Sequence, residues 1–185
     1  IYADQYEANK HFFLAQYFKD NYDNALSDLP FVNSPINITR VEVWITNKTG
    51  TTNDTRNIVS FLDLGETTGN IYNTQFTLSN GGPYPDNNAA NDMFESLTTN
   101  FSGMRDINNV NNILSSQLGI GFLNGQDYEK LERARKLTSQ EYSMHPQLGY
   151  ISLNQALNND EVLAVAFQYT VGNNTFQVGE FTSSG

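Results

Sequence analysis

The most constraining feature of this chain lies near its C-terminal end. Glu161–Thr170 (EVLAVAFQYT) holds the longest apolar run, Val162–Phe167, which is apolar at odd and even positions alike. A strand reads this way when both of its faces are covered. Gly172-Asn173-Asn174 follows, and Thr175–Phe181 continues as a returning segment. Gly and Asn tolerate the positive φ that a tight strand reversal demands. The pair predicts an antiparallel hairpin whose first arm is a central strand, with Val165 fully buried.

Strand periodicity recurs earlier. Ile38, Arg40, Glu42, Trp44 and Thr46 point one way, while Val41, Val43 and Ile45 point the other. After the polar stretch Asn47–Asn53 (NKTGTTN), Arg56–Leu64 alternates again, and the two segments predict a second hairpin. Leu148–Leu153 reads as a further short strand, and Ile71, Phe76 and Leu78 as a short extended piece before the loop at Gly81, Gly82, Pro83 and Pro85.

Four stretches read as helical. Residues 2 to about 20 carry an aromatic stripe of Tyr6, Phe13 and Tyr17, widened by Phe12, Leu14 and Phe18, and Asn21–Leu29 continues it up to Pro30 and Pro35. Asn88 or Asn91 starts a short helix with Met93, Phe94 and Leu97, and Ile107, Val110, Leu114 and Leu118 mark another. Gln126–Leu137 predicts a fourth, capped by Asp127, with Leu131, Ala134 and Leu137 inward and Arg133, Arg135 and Lys136 near its C-terminal end. The whole reads as one α+β domain over 1–185. Its sheet is mostly antiparallel and packs against helices from the N-terminal and middle regions.

Twenty acids against ten bases give a net charge of -10, which argues against nucleic acid and anionic lipid as partners. Charged residues are only 16%, so 25 Asn and 16 Thr supply much of the polarity. The absence of Cys excludes disulfides and thiolate chemistry. No apolar stretch approaches the length of a membrane-spanning helix, and no signal-like segment opens the sequence. It reads as a mature piece, or as a soluble domain excised from a longer polypeptide.

Sites of chemistry are sparse. His11 and His145 stand far apart, each without a ligand-spaced partner. Asp86-Asn87-Asn88 and Asn158-Asn159-Asp160-Glu161 are oxygen-rich but lack calcium-loop spacing. Asp63 and Glu66 read as a strand-end corner, and no phosphate loop or nucleophile elbow occurs. The residues predict no catalytic group, no metal and no cofactor. Trp44 with Tyr2, Tyr6 and Tyr17 offers a candidate sugar- or peptide-binding surface, set against the first helix covering Trp44.

Several long phrases are similar to one family. HFFLAQYFKDNYDNAL (11–26), ITRVEVWITNKTG (38–50), RNIVSFLDLGE (56–66), QDYEKLERARKL (126–137) and the stretch from His145 to Phe181 resemble the SprA family, large cell-surface proteins of Bacteroidetes gliding motility and type IX secretion. The resemblance runs colinearly through nearly the whole chain and is weakest over 67–105. It implies one soluble, non-catalytic structural or interaction domain of an outer-membrane translocon. The partners it implies are other parts of that polypeptide, secretion-machinery proteins and secreted protein substrates. No transmembrane segment is expected in this piece, and either side of the outer membrane remains open for it. The alternative is a cell-surface carbohydrate- or peptide-binding module, and a hydrolase would require paired acids in a groove.

Overall fold

The computed structural model describes residues 7–62, 83–117 and 121–183. The described elements run β1 (His11–Phe13), α1 (Gln16–Asp20), α2 (Tyr22–Ala25), β2 (Ile36–Ile45), β3 (Thr55–Phe61), α3 (Met93–Glu95), α4 (Val110–Asn112), β4 (Tyr128–Lys136), β5 (Tyr142–His145), β6 (Tyr150–Leu153), β7 (Leu163–Val171) and β8 (Asn174–Val178). Helices α3 and α4 each run on into a π-helical turn, Ser96–Asn100 and Ile113–Gln117. The strands form a five-stranded sheet in the order β3-β4-β2-β7-β8 and a three-stranded sheet β1-β6-β5. Every ladder between these strands is antiparallel. This is the expected α+β architecture, with the C-terminal hairpin formed by β7 and β8.

Strand β2 is the centre of the larger sheet. It pairs with β7 from Ile36↔Val171 to Ile45↔Leu163, with a bulge between Ile38 and Arg40. The extra residue, Thr39, keeps Ile36 and Ile38 on the same face as Val41, Val43 and Ile45. That face meets Phe167 and Tyr169 of β7, Ile151 and Leu153 of β6, and Phe18 of α1 in the main core. Burying a side chain such as Phe167 contributes about 1.5–3 kcal/mol, and its exposure is 1%. Val165 is only half-buried, against the expectation of full burial, because it packs at the margin of this core. Strand β7 is interior as expected, paired with β2 and β8 and buried on both faces, while the middle strand of the five is β2.

Three expected elements take another form. The aromatic stripe of residues 2–20 is no single helix. His11–Phe13 is a strand pairing with Tyr150–Ser152 of β6, and helix begins only at Gln16. Strands β2 and β3 form no hairpin with each other, because β4 stands between them and pairs with both. Gln126–Leu137 is therefore not a helix, and Asp127 caps none. Its Oδ2 accepts a bond from the Leu123 N–H at 2.7 Å in the turn leading into β4.

The false helix signal in β4 has a specific origin. Tyr128 packs into a second core beside Val110 and Leu114, and Leu131 faces a third beside Trp44. A bulge then sets Glu132 and Arg133 opposite Asn57. Arg133 sits at φ 52°, and its N–H donates to Asn57 Oδ1 at 2.8 Å. The extra residue returns Ala134 to the face of Leu131, while Leu137 joins the main core. Two-sided burial plus one bulge thus imitates the spacing of a helix face. The expected extended piece at Ile71, Phe76 and Leu78, the corner at Asp63 and Glu66, and Leu118 lie outside the described residues.

Gly149 is the position where the fold requires glycine most strictly. Its φ is +67°, and a Cβ there would fall 2.1 Å from a Phe18 ring carbon. Its carbonyl also accepts from the Leu14 N–H at 2.9 Å, tying the α1 segment to the turn before β6. Gly50 has the similar φ of +68° with no atom within 4 Å of a built Cβ. Gly50→Ala is expected to cost about 1 kcal/mol, the strain of the left-handed backbone alone. Gly149→Ala is expected to cost about 3–5 kcal/mol, because Phe18 must leave its core site. Urea denaturation of the two variants checks the contrast, and equal losses would contradict the Phe18–Gly149 packing.

Candidate functional site

Alternation in β2 places Arg40, Glu42 and Trp44 on the face away from the main core, as their spacing requires. Opposite Trp44 and Glu42 on β7 stand Ala164 and Ala166, whose small side chains leave room for another layer. The segment after β8 supplies it. Gly179, at φ +80°, lies so close to β7 that a Cβ would approach the Ala166 Cβ to 3.1 Å. Phe181 is then buried under the Arg40 guanidinium, 4.0 Å from its ring centroid.

Glu42 holds this layer down. Its exposure is 3%. It receives Thr182 N–H at 3.1 Å and Thr182 Oγ1 at 2.9 Å. Lys136 Nζ lies at 2.9 Å and an Arg40 nitrogen at 3.0 Å. Burial alone raises a carboxyl, but Lys136 and the two Thr182 donors outweigh it and hold Glu42 down at about 2. Two further arginines pin the same segment. Arg56 donates to the Thr182 carbonyl at 2.9 Å, and Arg105 makes two 2.8 Å bonds to Glu180. The strap Gly179–Ser183 is thus fastened by charge-assisted bonds from residues far away in sequence.

Between this strap and β3 runs a slot. A cavity of about 240 Å³ is lined by all six residues from Arg56 to Phe61 and, across from them, by Val178 to Thr182. Consecutive strand residues point to opposite faces, so a cavity touching all six runs along the edge of β3. Its floor includes Trp44, Glu42, Ala164 and Ala166. The strap, passing from Ala166 of β7 over Glu42 of β2 to Arg56, brings the continuation of β8 toward β3. A second cavity of about 300 Å³ shares Asn57, Val59, Phe61, Arg105, Gly179 and Glu180 with the first. It extends beneath Met93, Phe94, Leu97 and Met104.

The two outer edges of this sheet differ. Beside β8, Asn88 imitates a neighbouring strand. Its N–H donates to Gln177 O at 2.9 Å, and its side chain gives and takes 2.8 Å bonds with Gly179 O and N–H. Strand β3 has β4 on one side and no second strand among the described residues. The Leu62 N–H donates to Asp127 O at 3.0 Å, toward β4. By alternation, the amides of Val59 and Phe61 face the other way, into the slot.

Residues 1–176 match the N-terminal SprA family, described as motility-related secretion proteins. The chain belongs to this family. No curated protein matches it. The family match ends inside β8, so it includes the β3 wall of the slot and stops short of the strap. No motif search finds the slot, because its walls are backbone edges and its fastenings join residues more than seventy positions apart.

The residues singled out in the sequence fall elsewhere or serve packing. Trp44 is 5% exposed, but Leu131, Ala134 and Ala164 surround it in place of the first helix. Tyr2 and Tyr6 lie outside the described residues, and Tyr17 packs edge-on against Phe18 at 5.4 Å. His11 is exposed, not on a helix, and meets Ser152 Oγ at 2.8 Å and Glu7 at 3.1 Å. His145 accepts from the Leu148 N–H at 3.2 Å and stacks on Tyr150. Asp160 pairs with Lys48, and Glu161 accepts from Asn158 N–H and Nδ2 at 2.8 and 2.9 Å. Among the described residues, no three His, Asp or Glu side chains gather at metal-binding distance.

The Glu42 shift has a measurable sign. A carboxyl lowered from 4.5 to about 2 contributes stability that is complete above pH 4.5 and lost as pH falls toward 2. The shift corresponds to about 3 kcal/mol. Glu42→Gln is expected to lower stability near neutrality by that order and to flatten the stability profile between those pH values. Urea melts at a series of pH values check this, and an unchanged acid limb would show that Glu42 is not held as described.

Proposed function

We propose that this chain is a non-catalytic structural and interaction domain of an outer-membrane, cell-surface translocon that serves type IX secretion and gliding motility. The single observation that carries the interaction role is the slot along the β3 edge, which a second cavity adjoins. Family membership supplies the motility and secretion context. The chemistry of the acids points the same way: Glu42, Glu141, Glu180 and Asp160 are each engaged in ion pairs that fasten one segment to another. The proposed partners are other parts of the parent polypeptide, machinery proteins and secreted substrates.

A second reading, a carbohydrate- or peptide-binding module, rests on a different surface from Trp44. Phe13, 39% exposed, meets Tyr22 and Tyr150 edge-on at 5.5 and 6.4 Å. His145 stacks on Tyr150 at 5.6 Å. His11 and Ser152 stand beside them around an open hollow of about 320 Å³. Aromatic faces next to polar groups suit sugar rings. Retention on a glycan array that is lost in Tyr150→Ala would favour this reading, and a silent array would remove it.

Deleting this domain from the parent polypeptide is expected to abolish both export of secreted proteins and cell gliding, while the shortened parent stays at normal level in the outer membrane. Cell fractionation with a secretion assay and motility tracking check it. Normal export and gliding from the shortened protein would overturn the proposal.

A further inference from the structure

We infer that the slot beside β3 takes one extended peptide strand, carrying apolar side chains on one face and a carboxylate on the other, as a sixth strand on the β3 edge. This inference rests on the interaction-domain reading above and names what the domain holds.

Three observations carry it. The first is the edge itself: the Val59 and Phe61 amides point away from β4, and backbone N–H and C=O groups on such an edge are a template for another strand. The second is the placement of the two cavities. An extended strand sends alternate side chains to opposite sides. The larger cavity lies on the side of Met93, Phe94 and Leu97, and the smaller on the side of Ala164 and Ala166. A strand seated on β3 therefore delivers apolar side chains to the first and small or polar ones to the second, the usual division of labour in strand addition.

The third is charge. Four cations, Arg40, Arg56, Arg105 and Lys136, surround the strap and slot with two carboxylates, Glu42 and Glu180. In the slot lining itself Arg56 and Arg105 stand against Glu42 and Glu180, and both acids are already paired, Glu42 with Arg40 and Lys136 and Glu180 with Arg105. Arg56 shares the face of Ile58 and Ala134, is exposed, and bonds only a carbonyl oxygen among the described residues. Arg56 is thus the slot cation with no carboxylate partner among the described residues, and charges act over about 8 Å at physiological ionic strength, so a side chain in the slot senses it directly. An acidic residue on the inward face of the strand is the complementary choice.

The test uses the 185-residue chain and three fluorescent hexapeptides: Ser-Val-Glu-Val-Thr-Val, the same peptide with Lys for Glu, and the Glu peptide N-methylated at alternate amides. Anisotropy is expected to show saturable binding of the Glu peptide, at least about tenfold tighter than the Lys peptide. N-methylation is expected to remove binding, since main-chain bonds supply the affinity. Hydrogen exchange at Val59 and Phe61 is expected to slow by about tenfold or more on saturation. Arg56→Glu is expected to reverse the Glu/Lys preference. Arg56→Gln, which keeps a donor on the side chain, is expected to erase that preference while the chain still melts cooperatively.

No saturation by any peptide at about 1 mM, the weak end of specific binding, overturns the inference. So does equal affinity for the methylated peptide, or protection of Val59 and Phe61 before peptide is added, which would mean that the chain fills its own slot. If the peptides fail while deletion of the domain still stops export, the slot falls and the interaction reading stands. If the peptides bind while deletion is silent, the reading falls and the slot stands.

Discussion

The ladder between β2 and β7 is the constraint on which the rest of the structure depends. It is long, it is buried on both faces, and every other layer is placed by reference to it. Its inner face, from Ile36 to Ile45, is the floor on which α1 and the small sheet pack. Its outer face offers Trp44 to Leu131 and Ala134 of β4 and Glu42 to the strap. The bulge at Thr39 makes both assignments compatible. Without the extra residue, Ile36 and Ile38 would stand on the opposite face from Val41 and Val43, and one apolar pair would be turned away from the core.

Glu42 shows how a costly group becomes structural. A carboxylate with 3% exposure loses most of its hydration. Two cations and two Thr182 donors replace it. The same bonds bring together β2, β4 and the strap, three segments that no local sequence preference brings together. Arg135 does comparable work on the next turn, donating to both Glu141 oxygens at 2.8 and 3.0 Å between β4 and β5. In a chain with so few charged residues, these ion pairs sit at the joints between elements.

Strands whose burial is regular were legible in the sequence. Alternation marks β3 and, from Arg40 onward, β2, while the bulge at Thr39 turns Ile38 to the face of Val41 and away from that of Arg40, where plain alternation puts it; the apolar run with its Gly-Asn turn marks β7 and β8. The short helices at Met93 and Val110 also follow their apolar stripes. What was not legible has physical causes. β4 buries Tyr128 on one face and Leu131 and Ala134 on the other across a bulge, so its spacing mimics a helix. β1 is three residues long, too short for any period to show. Insertion of β4 between β2 and β3 depends on pairing across more than sixty residues. The slot was hidden for a related reason. It is built from the edge of one strand and the backbone beyond another, and only the long-range bonds of the strap bring them face to face.

An open strand edge is usually a liability, because it invites a second copy of the same chain. The β8 edge avoids this through Asn88, which occupies the bonding groups of Gln177 and Gly179. The β3 edge carries no such plug among the described residues, and two other features restrict what reaches it. The slot is flanked by the strap, so only a narrow extended segment enters, not the broad edge of another sheet. Two copies of a chain with net charge -10 also repel each other on approach, whereas a short strand with a single carboxylate meets far less of that barrier. Shape and charge together thus disfavour self-association while leaving the same backbone groups accessible to a different chain. An edge shielded from its own kind and open to another is the arrangement that selective strand addition requires.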